Sequence, residues 1–420
     1  MLRRLFNSSI LIKRNASALY VTGDKAMENF AVLSPFLQID ERMSNFEEIK
    51  ANITKRKMTL NLDELKSEYE LYADVEKRKR ELENRRVEIV ALMKQEPSEG
   101  LKLEGINLRE NLKKLKENSY YLEDQFIHNF LKIPNYIHNK TPANEKEVIY
   151  SFLDKPSDVI VNDKIHKLIE FYDSTCYYMK GDAAKFDIQI ALDVCDYYKE
   201  AGFIKFSNPD FVRSIIPEAA AVDLSNIFLL KEDAIENKLN LLHLTGNGSM
   251  LNFLSFFAKL TIFSTQLPIQ LISTGRNYNS MNHFDHQDLY SVVQTTCCQN
   301  FIAVNDEKSF DKIIEDQILH WKNIFERFNQ HFRIISYPAE SLAISESYKL
   351  GLEMYSNSQN EYIEVANFSY YSDFISKRLL FNYKQDKVTK FPHIYSGTVM
   401  NVMKLLINLV ESNSDLKKFI

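Results

Sequence analysis

From Leu60 to Lys94, apolar residues recur at helical spacing (Leu62, Leu65, Tyr69, Tyr72, Val75, Leu82, Ile89, Leu92) among dense charges, with neither Gly nor Pro between them. The spacing predicts one helix of roughly 35 residues, about 50 Å long at 1.5 Å per residue. Pro97 and Gly100 are expected to break it, and a second periodic run follows through Leu108, Leu112, Leu115, Leu122, Phe126 and Phe130 as far as Pro134. Two long helices with a short connection predict an antiparallel hairpin over 45–133. Beyond the boundary at Ile133-Pro134-Asn135 the pattern changes. Helical stretches (Ile165–Thr175, Ala183–Ala201, Phe310–Gln330) alternate with β-branched and aromatic runs. Those runs are Phe203–Phe206, Gln270–Ser273, Tyr290–Val293, Phe301–Val304, Arg333–Tyr337 and Tyr362–Asn367. Strands grouped in this way, with few βαβ repeats, predict an α+β fold in which an antiparallel sheet over 134–420 is flanked by helices.

Composition narrows the function class. The 420 residues are 45% hydrophobic and 26% charged, with only ten glycines and ten prolines, which excludes collagen-like, mucin-like and wholly disordered chains. A net charge of -5 excludes a generally basic nucleic-acid coat protein, while leaving room for a local basic patch. Four cysteines without a C-x-x-C pair form neither a disulfide framework nor a zinc motif and fit a reducing compartment. The first 23 residues carry Arg3, Arg4, Lys13 and Arg14 with several hydroxyls and no acid. That is the composition of a mitochondrial presequence, expected over 1–25, and it points to the matrix. No membrane span is expected, because the greasiest later stretch, around Phe253 to Phe263, is short and interrupted by Lys259.

The residues offer few isolated chemical sites. Lys77, Arg78, Lys79 and Arg80, followed by Arg85 and Arg86, lie on the first long helix, where a phosphate backbone could be met; the competing reading is a solvated face of i,i+4 pairs. His283 and His286 with Asp285 and Asp288 read more naturally as a polar loop than as a metal site. The Gly246-Asn247-Gly248-Ser249 run lacks the Gly-Lys-Ser/Thr of a phosphate loop. Cys297 and Cys298 have no neighbouring base in the sequence and read as small buried hydrophobes, and His243 and His393 read as satisfied core or loop groups.

A series of strings in fixed order resembles the seryl-tRNA synthetases. It begins with HNFLKIPNYIHNKTP (His128 to Pro142) at the arm-to-domain junction and CYYMKGDAAKF (Cys176 to Phe186). EAGFIKFSNPDFVRS (Glu200 to Ser214) is similar to motif 1, the dimer element of class II aminoacyl-tRNA synthetases. LHLTGNGSMLNFL, ISTGRNY, LYSVVQTTCCQNF, SDFISKRLLFNY and HIYSGTVMNVMKLLINLVE follow in family order. The resemblance covers about residues 45 to 420 and implies a class II synthetase-like domain behind a helical arm, with a dimer interface at Phe203, Phe206 and Pro209. It also implies that the arm is the element which, in the synthetases, grips serine tRNA by shape and backbone.

The departures from the pattern carry the functional content. Where the family has T-x-E near the substrate amino group, this chain reads Thr245-Gly246-Asn247, followed by Gly248 and Ser249, with no acid. The F-R-x-E string is matched by Gly275-Arg276-Asn277-Tyr278, which keeps Arg276 as a residual ATP-pocket group and puts Tyr278 in the place of Glu. Gln299 stands where a metal-facing Glu belongs, and Lys404 where the motif 3 arginine belongs, so charge is kept but the bidentate fork is lost. Asn247, Gly248, Ser249, Tyr278, Gln299 and Lys404 are thus the degenerate positions, and no cofactor or metal is expected. The resemblance, narrowed to the catalytically degenerate seryl-tRNA synthetase-like mitochondrial proteins of insects, implies a pseudoenzyme. Its partner would be the authentic mitochondrial seryl-tRNA synthetase or a second copy of itself. Two alternatives stand beside it: an adenylating enzyme with a rebuilt pocket, and a tRNA- or nucleic-acid-binding protein that uses the basic arm.

Overall fold

The computed structural model describes residues 17–20, 33–96, 98–155, 165–230, 241–280 and 289–420. Two short helices, α1 (Ile39–Ser44) and α2 (Phe46–Lys55), precede the two long ones, α3 (Leu62–Gln95) and α4 (Glu99–Phe130). Asn61 starts α3 by accepting the Glu64 N–H at 3.2 Å, satisfying one of the open donors of the first turn. The hairpin is closed by the predicted stripe, in which Leu65 and Ile89 on α3 are buried with Leu108, Leu112 and Phe126 on α4. Gly100 does not break the chain as expected; it lies inside the first turn of α4.

Eight strands make the main sheet: β1 (Glu147–Phe152), β2 (Ile204–Lys205), β3 (Ile269–Tyr278), β4 (Gln294–Val304), β5 (Phe332–Ser336), β6 (Tyr348–Ser356), β7 (Glu361–Ser372) and β8 (His393–Asn401). Their order across the sheet is β1-β5-β6-β7-β8-β4-β3-β2. Every neighbouring pair is antiparallel except β2 with β3. Three helices, α5 (Asp182–Glu200), α7 (Phe310–Phe325) and α9 (Val402–Glu411), contribute to one large apolar core with the sheet. Trp321 of α7 is fully buried there and donates its indole N–H to the Val399 carbonyl at 3.2 Å. Helices α6 (Met250–Phe257) and α8 (Phe374–Leu379) belong to a second core that includes Phe301 and Ile394.

Strand alternation puts successive side chains on opposite faces. Ser273, Gly275 and Asn277 on β3 therefore share a face with Thr295, Cys297 and Gln299 on β4. The same face continues through Thr398 and Ser396 on β8, Ser369 and Asn367 on β7, and Lys349, Gly351 and Glu353 on β6. This is a polar surface inside the fold.

Two further expectations are corrected. Ile165–Thr175 is helical only over Ile165–Leu168; Ile169–Phe171 then pairs with Tyr177–Met179 as a hairpin. The Asp173 carboxylate turns that chain by accepting the Thr175 and Cys176 N–H groups at 2.7 and 2.8 Å, which competes with continuing the helix. Tyr290–Val293 is a turn leading into β4, with the Val293 N–H donated to the Ser174 carbonyl rather than to a ladder. The leader expected over 1–25 lies largely outside the described residues, but Ala18 and Leu19 are buried core residues. Both donate N–H groups to the Glu218 carboxylate, so residues 17–20 pack as part of the fold. Among the described residues, no helix is long and apolar enough to cross a membrane.

Candidate functional site

The loop 245–249 lies directly on β3. Gly246 has φ +85°, and a Cβ there would collide with the Arg276 main chain, so glycine is required for the close approach. The Tyr278 N–H is donated to the Thr245 carbonyl at 3.1 Å, and the Gly248 N–H to the Arg276 carbonyl at 3.0 Å. The Asn247 side-chain oxygen accepts from the Ser273 hydroxyl, and its N–H is donated to Asp210 Oδ1 at 2.9 Å. Ser249 caps α6 through its hydroxyl. Each of the three positions matched to the lost acid is thus engaged in holding the loop, and none presents a carboxylate.

Gln299 is 4% exposed and has both ends of its amide satisfied within the sheet. Nε2 donates to the Ser396 hydroxyl at 2.9 Å, and Oε1 accepts from the Thr398 hydroxyl at 2.9 Å. A carboxylate could not donate the first of these bonds, and a bound cation would have to take the oxygen from Thr398. Cys297, two residues before it, is buried beside the Thr295 hydroxyl at 3.3 Å, and burial pushes its thiol up to about 11. That is the environment of an inert thiol, as expected.

Arg276 is not where the sequence placed it. It pairs in register with Thr296, on the face opposite Gln299, and turns toward α5. Nη2 lies 3.6 Å from Asp187 Oδ2, and Nη1 donates to the Tyr177 hydroxyl at 3.4 Å. Tyr278 shares that face by alternation. The strand's parity thus separates Arg276 and Tyr278 from Gln299, whereas the resemblance implies that all three line one pocket. Ser273, Gly275 and Asn277 are the residues β3 gives to the polar face, and none is a cation. Lys404, in the first turn of α9, spends its ammonium on the Glu364 carbonyl at 3.1 Å.

Two carboxylates on the polar face were missed. Glu353 and Glu364 are cross-strand partners on β6 and β7. Lys146 Nζ and Arg333 Nε meet Glu353 at 2.7 and 2.8 Å. Glu364 takes the Lys349 ammonium at 2.9 Å, the Tyr337 hydroxyl at 2.7 Å and the Asn367 amide at 2.9 Å. Burial alone would raise the Glu364 carboxyl, but the Lys349 charge and these hydrogen bonds hold it below the usual range. Tyr337 lies over Gly351, where any Cβ would come within 2.6 Å of its ring. The available signal was the alternation Lys349, Gly351, Glu353 inside an otherwise apolar run. Among the described residues, no group of three potential metal ligands is assembled.

The remaining candidates separate. On the arm, Lys79 pairs with Glu76 at 2.8 Å, and Arg85 with Glu88 and Glu104 at 3.1 and 2.9 Å, while Lys77, Arg78, Arg80 and Arg86 are exposed. At motif 1, Phe203 is 4% exposed and packs edge-on to Tyr198, so it belongs to its own chain's core and is corrected as an interface residue. Phe206 is half-buried on Phe253 and Phe256, and Pro209 is exposed. His393 meets the Tyr370 hydroxyl at 2.6 Å, and His243 Nε2 the Ser214 hydroxyl at 2.9 Å, while His243 Nδ1 is buried without a partner, so only part of that ring is satisfied. His283, Asp285, His286 and Asp288 lie outside the described residues.

No family model matches the chain. It is 32% identical over 426 residues to the serine–tRNA synthetase-like protein Slimp of Drosophila melanogaster, covering 98% of this chain and 92% of that one. The mitochondrial serine–tRNA ligase of Mus musculus is 22% identical over 75% of this chain and 64% of its own length. In fold, the chain is similar to the seryl-tRNA synthetase of Pyrococcus horikoshii complexed with ATP, with a TM-score of 0.76, 16% identity and coverage of 90% and 94%. A cytoplasmic serine–tRNA ligase from Naegleria fowleri in complex with AMP gives 0.74. The fold is the seryl-tRNA synthetase fold, and the identity sustained along nearly the whole length places this chain in the family of serine–tRNA synthetase-like proteins.

Proposed function

We propose that this chain is a non-catalytic mitochondrial paralogue of seryl-tRNA synthetase that works by pairing with the authentic mitochondrial enzyme. The observation that carries the reading is the Gln299 amide, which closes a hydrogen-bond circuit with Ser396 and Thr398 where the family resemblance implies a metal-facing carboxylate. Adenylation of an amino acid needs fixed charges for an ammonium, for phosphates and for magnesium. Here the 245–249 loop offers none, Arg276 faces α5, and the Glu353 and Glu364 carboxylates are already neutralised by Lys146, Arg333 and Lys349. The mitochondrial ligases among the relatives and the basic N-terminus support the organelle.

The pairing half of the reading rests on exposed apolar side chains around motif 1. Ile188 and Leu192 on α5, Ile204 on β2, and Phe211, Phe256 and Phe263 are each 45% to 67% exposed. Apolar surface of this kind favours association over a monomer in water. The native mass of the chain, alone and mixed with the mitochondrial seryl-tRNA synthetase of the same organism, tests it. A one-to-one heterodimer is expected; a monomer in both conditions would overturn the pairing role.

The exposed Lys77, Arg78, Arg80 and Arg86 favour a second reading, a nucleic-acid contact along the arm. Its test is RNA binding that weakens with salt and is lost when these four are neutralised.

A further inference from the structure

A cleft of about 460 Å³ opens where the base of the arm meets the sheet domain, between α1, the segment 134–139 and the β7–α8 connection. Its unusual content is two guanidinium groups with no acid on either. Arg378 is 3% exposed; Nη2 donates to the Leu131 carbonyl at 3.0 Å, the group stacks 3.9 Å over Phe374, and Nη1 is buried without a hydrogen-bond partner. Arg42 donates Nη2 to the Pro134 carbonyl at 2.7 Å and lies 4.9 Å over the Tyr136 ring, and its Nε is likewise buried without a partner. The two cations act on each other: burial and the Arg42 charge push Arg378 down to about 9.

None of the acids that line the cleft forms an ion pair with either guanidinium, and three of the four have other partners. Asp373 takes the Lys377 ammonium at 2.7 Å, and its charge reaches Arg42 without an ion pair. Glu307 meets His138 Nε2 at 3.0 Å, and Glu41 accepts from the Gln38 amide. Glu48, on α2, is exposed to solvent, and its charge, like that of Asp373, reaches Arg42 without an ion pair. A buried guanidinium with an open N–H is costly when no anion answers it; both arginines line this cleft, with the open Nη1 of Arg378 and Nε of Arg42 buried just beneath its surface. Planar forks of this kind are matched by an oxyanion, which takes parallel N–H bonds and cancels the repulsion.

We propose that this cleft is a binding site for a phosphate group, held between Arg42 and Arg378. The cavity is larger than inorganic phosphate needs and has the size of a small-ligand pocket, with Tyr136 and His138 on its wall. The phosphate is therefore either free or the head of a nucleoside monophosphate. Because Arg42 belongs to α1 and Arg378 to α8, while their carbonyl partners Pro134 and Leu131 form the junction, an occupant ties the arm base to the sheet domain.

Thermal unfolding of the full chain in inorganic phosphate, against chloride at matched ionic strength, is the test. A saturable rise of roughly 3 °C is expected with phosphate, and none in Arg42→Gln. Adenosine monophosphate and adenosine form two further arms. Tighter binding of the monophosphate with none by adenosine identifies a nucleotide, and equal binding of monophosphate and phosphate identifies the free ion. Should Arg42→Gln not fold, Arg42→Lys keeps the charge without the fork and is expected to weaken phosphate at least tenfold. A response to phosphate no greater than to chloride, or a variant that keeps the wild-type response, overturns the proposal.

Discussion

The arm and the polar face of the sheet are built from the same residue types and use them in opposite ways. On the arm, Arg85 meets Glu104 with both side chains more than 40% exposed, and Lys116 meets Glu83 in similar water. On the sheet, Glu353 is 1% exposed and receives Lys146 and Arg333 together. Exposed pairs gain little because water already solvates each charge, whereas a buried carboxylate depends on its partners for all of its solvation. The arm's charges are therefore replaceable one at a time, and those of the sheet face are not.

The largest effect that sharpens this contrast is expected from Glu353→Ala, which strands Arg333 and Lys146. Denaturant unfolding should show a loss of about 3 kcal/mol, against less than about 1 kcal/mol for Glu104→Ala on the arm. Equal losses would break the comparison. Next come two glycines. A Cβ at Gly397 would run into the Asn367 carbonyl and the Phe368 Cα, both backbone, and Gly397→Ala should cost about 2 kcal/mol. Gly105, inside α4, would place its Cβ 3.8 Å from Ile89 Cγ2, an ordinary contact. Gly105→Ala should therefore raise stability by about 0.5–1 kcal/mol through helix propensity.

A smaller effect follows from acid. His138, His243, His320 and His393 are all held below the usual histidine range, by burial first. Their neutral forms suit the fold, so the unfolded chain binds more protons as pH drops below about 6.5. Stability is fully present above that pH and declines beneath it; a Tm measured at pH 5.5 should lie below that at pH 7.5. The depressed Glu364 carboxyl adds a second loss only at pH values under the ordinary glutamate range. A flat profile between 7.5 and 5.5 would remove the histidines from the account.

The sequence made the arm and the apolar core legible, because a stripe such as Leu65, Leu108, Leu112 and Phe126 repeats at a period that only a helix uses. The absence of an acid over 245–249 and the neutral side chain at Gln299 are also plain in the sequence, and their match to the family's acids is what the resemblance implies. Parity was hidden. Arg276 lies three residues after Ser273, which is enough to put it on the other face, and a matched string carries no information about which face a strand shows. Phe203 was misread for a related reason, since an aromatic next to an exposed Ile204 is equally compatible with surface and core. The Glu353 and Glu364 network depends on β6 pairing with β7, and the Arg42 and Arg378 cleft on residues more than 300 positions apart. The two glutamates sit on one hairpin, but Lys146 reaches Glu353 across 207 positions, and the cleft has no local signal at all.

Serine-dependent exchange of pyrophosphate into ATP, measured on the purified chain beside a mitochondrial seryl-tRNA synthetase, tests the central claim most directly. The account predicts no exchange above the serine-free background, and none on Asn247→Glu alone, because Gln299 and the outward Arg276 would still be in place. Robust serine-dependent exchange by the unaltered chain would contradict it.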